Sequence, residues 1–282
     1  MDKYFSAFYS GWHVMYRIFG IKMKFQLRPK HIDTVNIVTD PRAGIGNRLF
    51  GLINVLSYFT PREINIFWDT KNWVSAKLNE IFDIKTNTII NEFEKIEEVQ
   101  NIKAKNSILI YGPSCALKTL KNENISLKYN EIPKEAIEYF NNFFQNVKPS
   151  KQVSERIKNY DKTYDYALQI RNNKDWQSFN RNENLELFFD KLKAMPDNSK
   201  IFLSAMNTEV SKAFKDRFGS KIVELENKNY NSMIDAVSDL YLLSRAKSAV
   251  YSFGSTFGEL AFWLNGAKQK VEIIGSDENW NG

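Results

Sequence analysis

From residue 166 to residue 274 the chain alternates short β-branched runs with helix-spaced apolar stripes, and this alternation constrains the fold most. Runs at 166–170, 201–203, 222–225, 249–252 and 271–274 predict strands. Between them, Leu185, Phe188, Phe189 and Leu192 mark one helix, and a second runs from Thr208 to Phe218. Met233, Val237, Leu240 and Leu243 mark a third, and residues 257–265 a fourth. Thr208 is expected to cap its helix, and Gly219 and Gly266 to end theirs. Five strands separated by four helices predict a parallel sheet covered on both faces. Ligands of such sheets sit at the carboxyl ends of the strands.

The same logic applies once more near the start. Val35, Ile37 and Val38 predict a buried strand, and Leu49, Leu52, Ile53, Leu56 and Phe59 a helix. Pro41, Gly44 and Gly46 break the chain between them, the glycines permitting positive φ. Asn47 and Arg48 thus arrive at a helix N-terminus, a site for phosphate or sugar or simply a strand-to-helix turn with a solvated arginine. Further strands are expected at 64–68, ending at Asp69, and at 107–111. Residues 73–82 predict a weak helix, 91–106 a solvated helix or irregular cover, and Ile137, Phe140, Phe143, Phe144 and Val147 an amphipathic helix. Pro149-Ser150 is the expected hinge, giving an N-terminal segment 1–30 and Rossmann-like domains at 31–150 and 151–282.

Charge and cysteine usage exclude several classes. Residues 1–30 hold Lys3, Arg17, Lys22, Lys24, Arg28 and Lys30 against Asp2 alone, most of the net +6, so the remainder carries no nucleic-acid footprint. That segment also carries Phe5, Phe8, Trp12, Met15 and Phe19 at helical spacing. It predicts an amphipathic helix, lying on an anionic membrane or packed on the protein's own body. With Cys115 as sole cysteine and no signal peptide, a reducing, cytoplasmic setting is expected. One cysteine and two histidines, His13 and His31, make no familiar zinc site, and no metal cofactor is expected. Both histidines lie near the N-terminus, which removes a Ser-His-Asp triad. No GxxxxGK[ST] loop occurs, and Gly44-Ile45-Gly46 lacks the third glycine of a dinucleotide fingerprint.

Three strand-end loops carry the remaining chemistry. The first spans Asp40 to Arg48. In the second Arg171 ends a buried strand, where its planar fork suits a diphosphate or carboxylate; Asp175 is a catalytic candidate or merely its ion-pair partner. In the third, Gly254 precedes Ser255, Thr256 and Phe257 at a helix start, with Thr256 as the expected cap and Glu259 closing a capping box. Asp40, Asp69 and Asp175 are the carboxylates at strand ends, and the choice of general base among them stays open.

Taken together, Gly44-Ile45-Gly46-Asn47-Arg48-Leu49, Ile170-Arg171 followed by Asp175-Trp176, and Ser255-Thr256-Phe257 resemble the fucosyltransferase superfamily. That group includes protein O-fucosyltransferases and the nodulation and core α1,6-fucosyltransferases. The resemblance implies a GT-B fold, two Rossmann-like domains facing a cleft, and metal-independent inverting transfer from GDP-fucose to a glycan hydroxyl. It implies that Arg171 holds the β-phosphate, Ser255 and Thr256 the diphosphate, and Asn47 the reacting region of donor or acceptor. Gly44, Gly46, Arg48, Asn207 and Phe257 are carried over as further donor-side residues. Two positions depart from the pattern: Gln169 replaces the usual histidine two residues before the arginine, and Asn207 an expected acid. A UDP-sugar enzyme and a non-catalytic carbohydrate- or nucleotide-binding protein are the alternatives.

Overall fold

The computed structural model describes residues 5–10, 13–18, 21–26, 32–113, 116–118, 124–127, 132–171 and 185–275. They form two compact units. The first comprises residues 1–78 and 84–126; the second takes residues 79–83 and 127–282. The division lies near residue 126, ahead of the Pro149-Ser150 hinge expected from composition. Ser150 is instead tied into the second unit, its hydroxyl donating to the carbonyl of Glu80 at 2.6 Å and accepting from the Val153 amide at 3.2 Å.

Among the described residues of the 1–30 segment, strands stand where a helix was expected. Strands β1 (Phe5–Ser10), β2 (His13–Ile18) and β3 (Ile21–Gln26) pair antiparallel in that order. Ile21, Met23 and Phe25 alternate with Lys22, Lys24 and Gln26, the period of a strand. Gly11 and Gly20 fall inside the apparent helical stripe, where glycine costs about 1 kcal/mol relative to alanine. Among the described residues no helix is long and apolar enough to cross a membrane.

The body of the first unit begins with β4 (Thr34–Val38), whose five residues are all buried, and α1 (Ile45–Phe59). Next come β5 (Glu63–Phe67), then α2 (Leu78–Ile81) and β6 (Phe82–Ile84), whose residues 79–83 belong to the second unit, and, in the first unit again, β7 (Ile89–Phe93), α3 (Ile96–Gln100) and β8 (Ser107–Tyr111). The short strands β9 (Leu117–Lys118) and β10 (Asn124–Ile125) pair with each other. The main sheet is parallel, in the order β7-β5-β4-β8. α3 falls where a solvated helix or irregular cover was expected, whereas β7 was not anticipated. Ile-Ile-Asn-Glu-Phe is too polar to read as a strand, but an edge position tolerates polarity.

A ladder of asparagines pins the register across three of these strands. Asn36, Asn65 and Asn91 stand opposite one another on β4, β5 and β7. Asn65 donates to Asn36 Oδ1 at 3.0 Å and accepts from Asn91 Nδ2 at 3.0 Å. Asn36 donates onward to the carbonyl of Ile102, and Asn91 to Glu63 Oε1. A slip of one residue would drive these amides into the apolar face and break every rung.

The second unit opens with α4 (Lys134–Phe144), β11 (Val147–Pro149) and α5 (Lys151–Ile157). It continues through β12 (Tyr164–Ile170), α6 (Leu185–Lys193), β13 (Ile201–Ala205), α7 (Thr208–Phe218) and β14 (Ile222–Val223). The last elements are α8 (Met233–Leu243), β15 (Ala246–Ser252), α9 (Thr256–Leu264) and β16 (Lys270–Ile274). Five of its strands form a parallel sheet ordered β14-β13-β12-β15-β16, while β11 pairs with β6. Phe188, Phe189, Leu192, Val210 and Phe214 from α6 and α7 close an apolar layer over Leu168, Ile170, Ile201 and Leu203. Both sheets start at an inner strand, build outward on one side and then cross to the other. The strand order therefore reverses between β4 and β8 in the first unit and between β12 and β15 in the second, and such reversals open a crevice at the carboxyl ends.

The ladder yields a stability prediction. Asn65→Ala leaves the Asn36 carbonyl oxygen and an Asn91 donor unpaired in a buried setting, a loss of about 1–3 kcal/mol by the usual cost of orphaned polar groups. Urea unfolding measures it; a midpoint within error of the parent would show that the ladder adds nothing.

Candidate functional site

Around the reversal in the first unit, the backbone uses its residues differently from the expectation. The helix starts at Ile45, with Gly44 as N-cap at φ −70°, so neither Gly44 nor Gly46 adopts positive φ. A Cβ built on Gly44 would meet nothing within 4 Å, which leaves the helix start open to an approaching group. Gly46 is buried in the first turn, and Asn47 follows it, partly buried, its Oδ1 enclosed without a hydrogen-bond partner.

Arg48 is not solvated; its side chain is 1% exposed. Its Nε donates to the carbonyl of Ala43 at 2.9 Å, Nη2 to that of Pro41 at 3.0 Å, and Nη1 to that of Asp69 at 2.5 Å. The guanidinium also lies 5.4 Å from the Trp68 ring centre. Burial pulls its pKa down, with Asp69 and then Asp40 opposing. It clamps the loop after β4 to the loop after β5, so its donors are directed at the protein's own backbone and its role in a site is to hold Asn47 and the loop in place.

The two candidate carboxylates in this unit, Asp40 and Asp69, are likewise engaged. Asp40 accepts from the Arg42 amide at 2.9 Å and from its guanidinium at 3.2 Å, and these bonds hold its pKa below the ordinary carboxylate value. A carboxylate held low accepts a proton poorly. Asp69 is buried and accepts from the Lys71 amide at 3.0 Å and from the Asn72 side chain.

In the second unit the reversal brings two of the expected loops together. Arg171 follows β12 directly, half-buried, and its amide donates to Ser252 Oγ at 2.8 Å. Across the crevice, Gly254 at φ 61° turns the chain after β15 into α9. The cap there is Ser255, whose Oγ accepts from the Gly258 amide at 3.4 Å; Thr256 and Phe257 are the first helical residues. The cap is thus one residue ahead of Thr256, and with Gly258 three residues on, the expected Thr256–Glu259 capping box is not formed. The amides of Thr256 and Phe257 belong to the first turn and have no carbonyl partner within their own helix. Gly258 is required for packing: a Cβ there would come within 2.8 Å of the Tyr251 ring and 3.1 Å of Gln169 Oε1. Arg171 and the α9 N-terminus therefore flank one strand-order reversal, the arrangement suited to an anionic group. Asp175 lies outside the described residues.

Asn207 caps α7, its Oδ1 accepting from the Val210 amide at 2.9 Å, so the cap is one residue ahead of Thr208. Beside it lies a group that sequence spacing did not single out. Lys228, on the loop after β14, donates to the Ala205 carbonyl at 2.7 Å and to Asp239 Oδ2 at 2.6 Å. Ser204 Oγ donates to the same Asp239 oxygen at 2.7 Å. Burial pushes the Asp239 carboxyl up, against the pull of Lys228. Arg156 fixes this loop from below through Asp235 at 2.8 Å and the Glu226 carbonyl at 2.5 Å. The strand end carrying Asn207 is thereby held rigidly. Two acids four residues apart on α8, Asp235 and Asp239, in an otherwise apolar helix were the available signal. Among the described residues no cluster of three or more metal-ligating side chains occurs.

The architecture is α/β with two Rossmann-like strand orders, and solved fucosyltransferases share it. NodZ α1,6-fucosyltransferase soaked with GDP-fucose superposes with a TM-score of 0.52 at 16% identity, over 83% of this chain and 93% of that one. An Arabidopsis thaliana FUT1 variant in complex with GDP gives 0.56 at 13% identity, over 88% and 71%. POFUT1 in complex with GDP-fucose gives 0.51 at 10% identity, over 87% and 99%. No protein-family model matches the sequence, and neither does any curated protein.

The role of Arg48 is checked by Arg48→Met. Three backbone carbonyls lose a charged donor, and the protein should lose about 2–4 kcal/mol, the scale of breaking a buried charged network. Chemical denaturation reads this loss. Unchanged stability would contradict the clamp.

Proposed function

We propose that the chain is a glycosyltransferase that moves a sugar from a nucleoside-diphosphate donor, fucose from GDP-fucose, to a glycan hydroxyl with inversion and without a metal. The observation that carries this is the pairing of Arg171 with the α9 N-terminus at the strand-order reversal of the second unit. The likeness to fucosyltransferases solved with GDP or GDP-fucose supports it. Breaking the glycosidic bond leaves a diphosphate that gains negative charge. Arg171, the hydroxyls of Ser255 and Thr256 and the first-turn amides of α9 supply fixed positive potential for that charge. Asn47 and the open helix start at Gly44 serve the reacting sugar or its acceptor on the first unit. Asp40 and Asp69 spend their oxygens on loop structure, and we assign neither as the base.

Incubation with GDP-fucose and a panel of glycan acceptors tests the proposal through release of GDP. Turnover supports it; turnover only with UDP-sugars would change the donor. Tight binding without turnover or slow donor hydrolysis would favour a non-catalytic binding protein.

Two consequences are measurable. Arg171→Ala should remain folded and lose transfer by about 100-fold or more, the scale of deleting one transition-state stabiliser, with Arg171→Lys recovering only a fraction. Near-parental turnover in the alanine variant would remove Arg171 from the mechanism. Second, turnover should survive EDTA; loss on chelation with recovery on Mn²⁺ or Mg²⁺ would refute metal independence.

A further inference from the structure

The parallel ladder between β12 and β15 runs from Tyr164 opposite Ala246 to Gln169 opposite Tyr251 and stops there. Ile170 pairs with Ala205 of β13, while Ser252 pairs with Ile274 of β16. The two central strands thus separate just before Arg171. At the point of separation a side chain takes over from the backbone. Ser252 Oγ accepts from the Arg171 amide at 2.8 Å and donates to the Gln169 carbonyl at 3.2 Å. The Ser252 carbonyl meanwhile accepts from the Ser255 amide at 3.2 Å, closing the turn that sets the start of α9. Ser252 is 1% exposed, so its hydroxyl is turned to the protein and away from solvent.

Building on the donor assignment above, we propose that Ser252 is a positioning residue: it staples the two sides of the crevice and fixes the distance between the Arg171 cation and the α9 N-terminus. A strand-order reversal needs the strands to separate for the phosphate to enter, yet separation frees the chain carrying the cation. One hydroxyl, bonded to the backbone on both sides of Ile170, permits the opening without the slack. The neighbouring hydroxyls are placed otherwise: Ser255 is committed to its helix cap, and Thr256 lies one residue beyond it.

Amide hydrogen exchange and calorimetric titration with GDP test the staple together. Ser252→Ala should speed exchange of the Arg171 amide at least 10-fold relative to the centre of β12, in the absence of any ligand. It should also weaken GDP binding about 10-fold, with Ser252→Thr, which keeps the hydroxyl, recovering most of it. The decisive arm is the double variant. In an Arg171→Ala background, Ser252→Ala should cost less than 2-fold further, because its effect passes through Arg171. An equal loss in both backgrounds would make Ser252 a general structural residue and overturn the inference, as would unchanged Arg171 exchange. Absence of GDP binding by the parent, with faster exchange in the variant, would leave a staple that holds no phosphate site; the donor assignment would fall and the positioning role with it.

Discussion

The separation of β12 from β15 is the constraint on which the second unit depends. Parallel strands are joined by evenly spaced slanted bonds, and every bond left out exposes a backbone group that must be satisfied otherwise. Here the omitted rung is replaced by Ser252, the turn beyond it is made by Gly254, and the helix it launches is capped by Ser255. Gly258 then lets the first turn settle on Tyr251 and Gln169 with no room for a methyl group. The start of α9 and the position of Arg171 both follow from how the sheet divides.

The first unit solves a similar problem with a charge. At its loop after β4 the tie is a guanidinium: Arg48 reaches under the loop and holds carbonyls of Pro41, Ala43 and Asp69. A buried guanidinium is costly unless its donors are matched, and each nitrogen here has a backbone oxygen. The planar fork is what makes three divergent contacts possible; lysine would offer a single point. Asp40 and Asp69 are drawn into the same arrangement as turn-makers.

Much of this was legible in the sequence because periodicity is a local signal. The five strands of the second sheet and the helices between them follow directly from alternating β-branched runs and helical stripes, and so do β4, α1, β5 and β8. The N-terminal segment failed because Phe5, Phe8, Trp12 and Phe19 imitate a helical stripe while residues 21–26 alternate at period two, and Gly11 and Gly20 tip that conflict toward strands. β7 failed because Asn91 and Glu92 serve the asparagine ladder and its neighbours, a tertiary role that composition does not announce. The loops that carry Arg171, Ser255 and Thr256 were identifiable as strand ends. The contacts that define them were not: a buried Arg48, a bridging Ser252 and the Lys228–Asp239 pair depend on partners as far as 21, 83 and 11 residues away.

The central claim is that the second unit's reversal recognises a diphosphate. Calorimetric titration of the intact chain with GDP, GMP and guanosine tests it most directly. GDP should bind at least 10-fold tighter than GMP and guanosine weaker again, with Arg171→Ala collapsing the difference between GDP and guanosine. Equal affinity for GDP and guanosine, or a phosphate preference untouched by Arg171→Ala, would contradict it.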